Sequence, residues 1–101
     1  MENELALKLE KRNLHFENIC KQLKEQFAEK NKHYGDDFFS GGYEPIERWM
    51  SIKRKVARLE AHYKQGIVSN LPDETLTDTW KDLAIYCIME MILRENQNDK
   101  K

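Results

Sequence analysis

The feature that most constrains the fold is a long opening segment without any residue that interrupts a helix. No glycine or proline occurs before Gly35, and these two residues most strongly disfavour a helix interior. The strong apolar residues recur at helical steps with charged residues between them: Leu5, Leu9, Phe16, Ile19, Cys20, Leu23 and Phe27. This spacing is typical of an amphipathic helix and predicts one helix over about residues 2–32.

Two further helices are indicated by their start and stop signals. Pro45 suits the first position of a helix, because its missing N–H would have no partner there, and Gly66 is a natural stop. A second helix is therefore predicted over about residues 45–65. The third, over about residues 73–95, begins with two acidic residues whose charges complement the helix dipole.

The three helices define the expected fold class and domain organisation. The sequence predicts an all-α fold in which three helices pack as a bundle. At 101 residues the chain is long enough for one core and too short for two independent ones. We therefore expect a single domain over residues 1–95, with a polar tail over residues 96–101 that frays.

The third helix carries a run of apolar residues that indicates an oligomer. From Leu83 to Leu93 the only charged residue is Glu90, so apolar side chains point to every side of the helix. Two partner helices of the same chain cover only part of such a helix, and the remaining face is expected to be buried against another subunit. The alternative is that the long first helix folds over that face completely.

Charge and cysteine content exclude several classes of protein. The 17 Lys and Arg against 18 Asp and Glu give a net charge of −1, so no sequence-specific DNA binding is expected. The longest apolar run is about half the roughly 20 residues that a membrane span needs, and the acidic N-terminus is unlike a signal peptide. Cys20 and Cys87 have no metal-ligand spacing and read as reduced core residues. These features predict a cytoplasmic protein without membrane contact.

A stripe of mostly basic residues on the second helix is the first candidate for binding chemistry. Arg48, Ser51, Lys55, Arg58 and His62 follow one another at steps of three and four residues. Beside them runs an apolar stripe of Trp49, Ile52, Val56, Leu59 and Tyr63. The basic stripe, which we expect at the margin of the core, is suited to phosphate. Alternatively, its cations are solvated or pair with acids of a neighbouring helix.

Three carboxylates on the third helix lie on one stripe of their own. Glu74, Asp78 and Asp82 are each four residues apart and repel one another unless something offsets their charge. The offset is either the basic stripe, giving structural salt bridges, or a divalent cation such as Mg²⁺. The sequence alone leaves both possibilities open.

The end of the first helix combines cations with aromatic rings. Lys30 and Lys32 precede Tyr34 and Phe38 at a predicted turn, a combination that can grip a phosphate while a ring stacks on a base. Alternatively, the two aromatic side chains simply cap the helical core. No triad partner for a histidine and no nucleophilic Ser or Cys motif is visible, so covalent catalysis is not expected.

Three segments together resemble the nucleotide-modification-associated domain family of phages and bacteria, which is similar in helical layout to MazG-like all-α nucleoside triphosphate pyrophosphohydrolases. The segments are Lys30–Phe38, Ile52–Leu59 and Asp73–Tyr86, and the resemblance covers about residues 27–93. In the first segment Lys30, Asn31, Lys32, Tyr34 and Gly35 fit the family pattern, and His33 replaces an acid. In the third segment Asp73, Glu74, Asp78, Asp82, Leu83, Ala84 and Tyr86 fit.

The second segment departs from that family pattern in an informative way. Lys55 and Arg58 fit, but Arg54 stands where the family carries an aspartate. The substitution turns an expected metal ligand into a cation, which favours a phosphate over a metal. The resemblance thus implies nucleotide binding more than metal-dependent hydrolysis, although a shared fold does not fix function.

These observations lead to one leading hypothesis and two alternatives. The leading hypothesis is a phage-encoded protein that binds a phosphorylated nucleotide or a nucleotide-derived signal, without a cofactor, at a helical subunit interface and sequesters it from host defence. The residues expected to bind are Lys30, Lys32, Tyr34, Phe38, Arg48, Arg54, Lys55, Arg58, Asp78 and Asp82. The first alternative is a Mg²⁺-dependent nucleotide pyrophosphohydrolase with Glu74, Asp78 and Asp82 as metal ligands. The second is a ligand-free helical interaction module.

Overall fold

The computed structural model of the protein describes residues 2–34, 39, 43–65 and 73–99. Helices account for nearly all of them, and no β-strand occurs in these ranges. The helices are α1 (Glu2–Tyr34), α2 (Pro45–Gln65) and α3 (Asp73–Asp99). The predicted all-α fold class with three helices is therefore confirmed.

The helix ends agree closely with the sequence signals, and the differences have simple causes. α2 begins at Pro45 and ends at Gln65, as predicted. α1 extends to Tyr34, two residues further than expected, because the first glycine is Gly35. α3 extends to Asp99, four residues beyond its expected end, through a stretch of polar residues that contains no glycine or proline.

The chain divides into two compact units, Met1–Gly35 and Asp36–Lys101. The first unit consists of α1, whose first half exposes large apolar side chains: Leu5, Leu7, Leu9, Leu14, Phe16 and Ile19. Cys20 of α1 and Cys87 of α3 are both exposed free thiols. Their predicted place in the core is wrong, because the faces that carry them are not covered.

The second unit is an antiparallel hairpin of α2 and α3. Arg48 near the start of α2 pairs with Glu90 near the end of α3, and Tyr63 near the end of α2 bonds to Trp80 near the start of α3. Leu59 and Ile85 are buried. Thr79 is the buried polar residue of the unit, and its hydroxyl donates to the carbonyl oxygen of Thr75 at 2.9 Å, so its burial leaves no unpaired group.

The helices also bear on the predicted absence of membrane contact. Over the residues described here, none of the three combines the length and the apolar character of a membrane span. This agrees with the short apolar run in the sequence.

Candidate ligand-binding face of α2 and α3

The cations of the predicted basic stripe of α2, together with the neighbouring Arg54, divide into those that pair with α3 and those that do not. Arg48 and Lys55 belong to the first group, and both of their partners are acidic residues of α3. Arg54 and Arg58 belong to the second group and are exposed. The two groups can do different chemistry.

Arg48 is held by two partners at the end of the hairpin. Its Nε donates to Oε1 of Glu90, and the two side chains are only 13% and 28% exposed. Its Nη1 donates to the carbonyl oxygen of Tyr43 at 2.9 Å. The first turn of α2 is fixed nearby, where the backbone N–H groups of Glu47 and Arg48 donate to the carbonyl oxygen of Glu44 at 2.9 and 3.2 Å. A guanidinium held from two sides is a structural element of the hairpin.

Lys55 occupies the middle of the contact between α2 and α3. Its Nζ lies 4.0 Å from Oδ2 of Asp82 and 4.8 Å from the centre of the Tyr86 ring. The ammonium group is therefore attracted both by a carboxylate and by the face of an aromatic ring. This arrangement is the structural salt bridge that the sequence offered as the alternative to ligand binding.

Arg58 of the stripe and the neighbouring Arg54 remain available. They are four residues apart, so their side chains emerge on the same side of α2 one turn apart. Within the part of the chain that the structure describes, neither side chain forms an ion pair or a hydrogen bond. Guanidinium groups in this arrangement can donate hydrogen bonds to phosphate oxygens.

The other exposed ion pair of α2 lies away from this stripe. Lys64 Nζ lies 2.7 Å from Oε1 of Glu60, one turn earlier on the same helix. The hydrogen bond and charge of Lys64 lower the pKa of Glu60, and Glu60 raises the pKa of Lys64. Both side chains are more than half exposed, so we assign the pair no part in binding or in holding the hairpin.

The acidic residues of α3 play more than one role. Asp82 pairs with Lys55, whereas Asp78, one turn earlier, is exposed. The side chain of Glu74 lies outside the described residues, so the predicted set of three metal ligands stays a prediction. Among the side chains that are described, no group of three His, Cys, Asp or Glu could hold a metal ion.

The remaining predicted binding residues lie in α1 or after it. Lys30 is half-buried and Lys32 is exposed in the last turns of α1. The backbone of Tyr34 closes α1, but its side chain and the whole of Phe38 lie outside the described residues. The structure therefore does not test whether these four residues lie near the cations of the hairpin.

Two α3 residues of this face were not predicted from the sequence. The sequence analysis treated Glu90 only as an interruption of the apolar run, and Tyr86 only as a member of that run and of the family resemblance. Both continue the acidic stripe, because Asp82, Tyr86 and Glu90 follow at steps of four. That spacing is the signal that could have placed them opposite Arg48 and Lys55.

The comparisons with known proteins assign no role to this face. No protein-family model matches the chain, and neither a curated protein nor a solved structure matches it. The resemblance to nucleotide-modification-associated domains therefore stays a prediction that rests on the residues quoted for it.

Proposed function

We propose that the chain binds a phosphorylated nucleotide, or a signal derived from one, through Arg54 and Arg58. The observation that supports this proposal is the pair of exposed guanidinium groups one helical turn apart, neither of which is paired with a described acid. Each guanidinium can donate two parallel hydrogen bonds to phosphate oxygens. Because like charges at this spacing repel, an anion between them relieves an unfavourable interaction.

The neighbouring pairs give this site a rigid support. Arg48 and Lys55 hold α2 against α3 through Glu90 and Asp82, so the two free arginines project from a fixed helix. We therefore assign Arg48, Lys55 and Asp82 to positioning the site rather than to contacting the ligand, which leaves fewer residues in the predicted binding set. Asp78, which is exposed, stays in the proposed binding set, where its carboxylate would accept hydrogen bonds from sugar or base donors.

The wider setting follows from the family resemblance. It implies a phage-encoded protein that acts in the host cytoplasm and sequesters a nucleotide signal. Lys30, Lys32, Tyr34 and Phe38 remain proposed contacts, with a ring of the last two stacking on the base. A Mg²⁺-dependent hydrolase remains the rival, with Glu74, Asp78 and Asp82 as its metal ligands.

Replacing both Arg54 and Arg58 by alanine is expected to abolish the rise in melting temperature that nucleotides produce. A ligand that binds only the folded state stabilises it by about 2.7 kcal/mol at a hundred times its Kd. The measurement is thermal unfolding with a panel of nucleoside triphosphates, monophosphates and cyclic dinucleotides. Arg94→Ala, which removes an exposed arginine of α3, is the matched control and should keep the rise.

The same titration separates the alternatives. A rise that survives EDTA, with the nucleotide recovered unchanged, supports a binder. A rise that needs Mg²⁺, with the nucleotide cleaved, supports the hydrolase. If no nucleotide raises the melting temperature of the unmodified chain in either condition, nucleotide binding in both forms is wrong.

A further inference from the structure

An apolar ridge runs along α2 on the side where the sequence predicted core. Trp49, Val56 and Tyr63 follow one another at steps of seven residues, so they lie on one side of the helix. They are between 44% and 61% exposed. We call these three residues the α2 ridge. It is uncovered although it consists of large apolar side chains.

A second ridge runs along α3. Trp80, Cys87 and Met91 follow at steps of seven and four residues, which again places them on one side of a helix. Trp80 and Met91 are 49% and 56% exposed, and Cys87 is exposed as well. We call these three residues the α3 ridge.

Helix geometry places the two ridges on the same side of the hairpin. Lys55 and Tyr86 face each other across the contact, and Val56 and Cys87 are each one residue further along. In two antiparallel right-handed helices, one further residue turns each chain towards the same side of the pair. The hydrogen bond from Trp80 Nε1 to Tyr63 Oη, 3.2 Å long, joins the ridges directly. Together they form one apolar face.

This face has the size of a small specific interface. Aromatic side chains carry about 150–250 Å² each, so half-exposed aromatics and their aliphatic neighbours offer on the order of 500 Å² of apolar surface. The largest apolar patch on a typical monomer is about 300–600 Å² and often functional. A specific interface buries at least about 1,000 Å² in total, or about 500 Å² from each partner. The face is therefore large enough to hold a partner.

The pattern of the face indicates which partner it fits. None of its six residues is charged, so a complementary surface must also be apolar. The ridges are similar in length, roughly 21 Å on α2 and 17 Å on α3 at about 1.5 Å per residue. Both contain the seven-residue spacing of helices that pack as a bundle. A two-helix hairpin with such a face is half of a four-helix bundle.

We propose that this face is the interface between two copies of the chain, which pack hairpin on hairpin about a two-fold axis. Each copy supplies the same uncharged, two-ridged surface, so the contact is self-complementary. The proposal gives the predicted oligomer a location: the exposed side of α3 that includes Met91, together with the α2 ridge. It does not depend on nucleotide binding.

Met91→Lys is expected to convert a dimer into a monomer, because it places an unpaired charge within an apolar contact. The measurement is sedimentation velocity or light scattering at micromolar concentration, where the unmodified chain should have twice the 12.1 kDa mass of one copy. Met50→Lys is the matched control. Met50 is also exposed, but it lies at least about 100° around α2 from every member of the ridge, so this variant should stay dimeric.

Far-ultraviolet circular dichroism shows whether Met91→Lys still folds. If it does not, the thiol of Cys87 in a Cys20→Ser chain gives a second test without a charge. Its reaction with a thiol reagent should be slow at high protein concentration and fast on dilution. A monomeric unmodified chain, a dimer that survives Met91→Lys in folded form, or a Cys87 thiol whose rate is independent of concentration would each overturn the proposal. The last two results would point to a different interface or to coverage by α1.

Discussion

Ile85→Ala is expected to lower the free energy of unfolding by about 2–5 kcal/mol. Ile85 is 1% exposed, the most completely buried large side chain that the structure describes. Removing its outer carbons costs their transfer free energy and leaves a cavity that the neighbours fill only in part. Such a loss is a large fraction of the whole stability of a small domain.

Chemical denaturation followed by circular dichroism measures this loss. Protein concentration must be the same for all variants, because association shifts apparent stability. Ile46→Ala is the control, since it makes the same chemical change at an exposed position of α2, and it should change stability by less than about 0.5 kcal/mol. Equal losses in the two variants would mean that Ile85 does not lie in the core.

The helices could be predicted because their signals are local. Pro45 fixes the start of α2, and α1 continues until the first glycine, Gly35. Each signal acts through the backbone of the residue that carries it, so no knowledge of distant neighbours is needed. α3 was predicted too short for a related reason, since polar residues after Glu95 suggest fraying but contain nothing that stops a helix.

The side of α2 that faces α3 could not be predicted in the same way. Lys55 and Val56 are adjacent in sequence and differ by only about 100° around the helix. The sequence favoured the apolar stripe of α2 as core, and Leu59 of that stripe is buried. Lys55, however, also contacts α3, while the Trp49, Val56 and Tyr63 side chains are exposed. The side of α2 that faces α3 depends on Asp82, Tyr86 and Glu90, because these residues attract cations. That complementarity is a property of two helices together.

The side of α2 that faces α3 decides which cations are left for the candidate site. Because Arg48 and Lys55 pair with acids of α3, they are held in the hairpin contact, whereas Arg58 and the neighbouring Arg54 are exposed and have no partner among the described residues. The sequence predicted binding cations on this helix, but it could not tell a cation that pairs within the hairpin from one without a described partner. Arg54, which stands where the family pattern has an aspartate, forms the exposed pair with Arg58.

Glu90→Ala is expected to destabilise the hairpin by about 1–3 kcal/mol, because it leaves the guanidinium of Arg48 partly buried without its acid. The two side chains are mostly shielded from water, which distinguishes this pair from the solvated pair of Glu60 and Lys64. Glu60→Ala is therefore the control and should change stability by less than about 0.5 kcal/mol. Chemical denaturation at fixed protein concentration compares the two variants.

The double variant Arg48→Met with Glu90→Leu decides what Arg48 is for. If the pair is structural, replacing both charges by apolar side chains of similar size should restore most of the lost stability and leave the nucleotide-induced rise in melting temperature intact. If Arg48 instead contacts the ligand, Glu90→Ala should enlarge that rise by freeing the guanidinium, and the double variant should reduce it. A different result would be that Glu90→Ala costs no stability and enlarges the nucleotide-induced rise. Arg48 would then belong to the residues that contact the ligand, and the phosphate site would extend along the whole basic stripe.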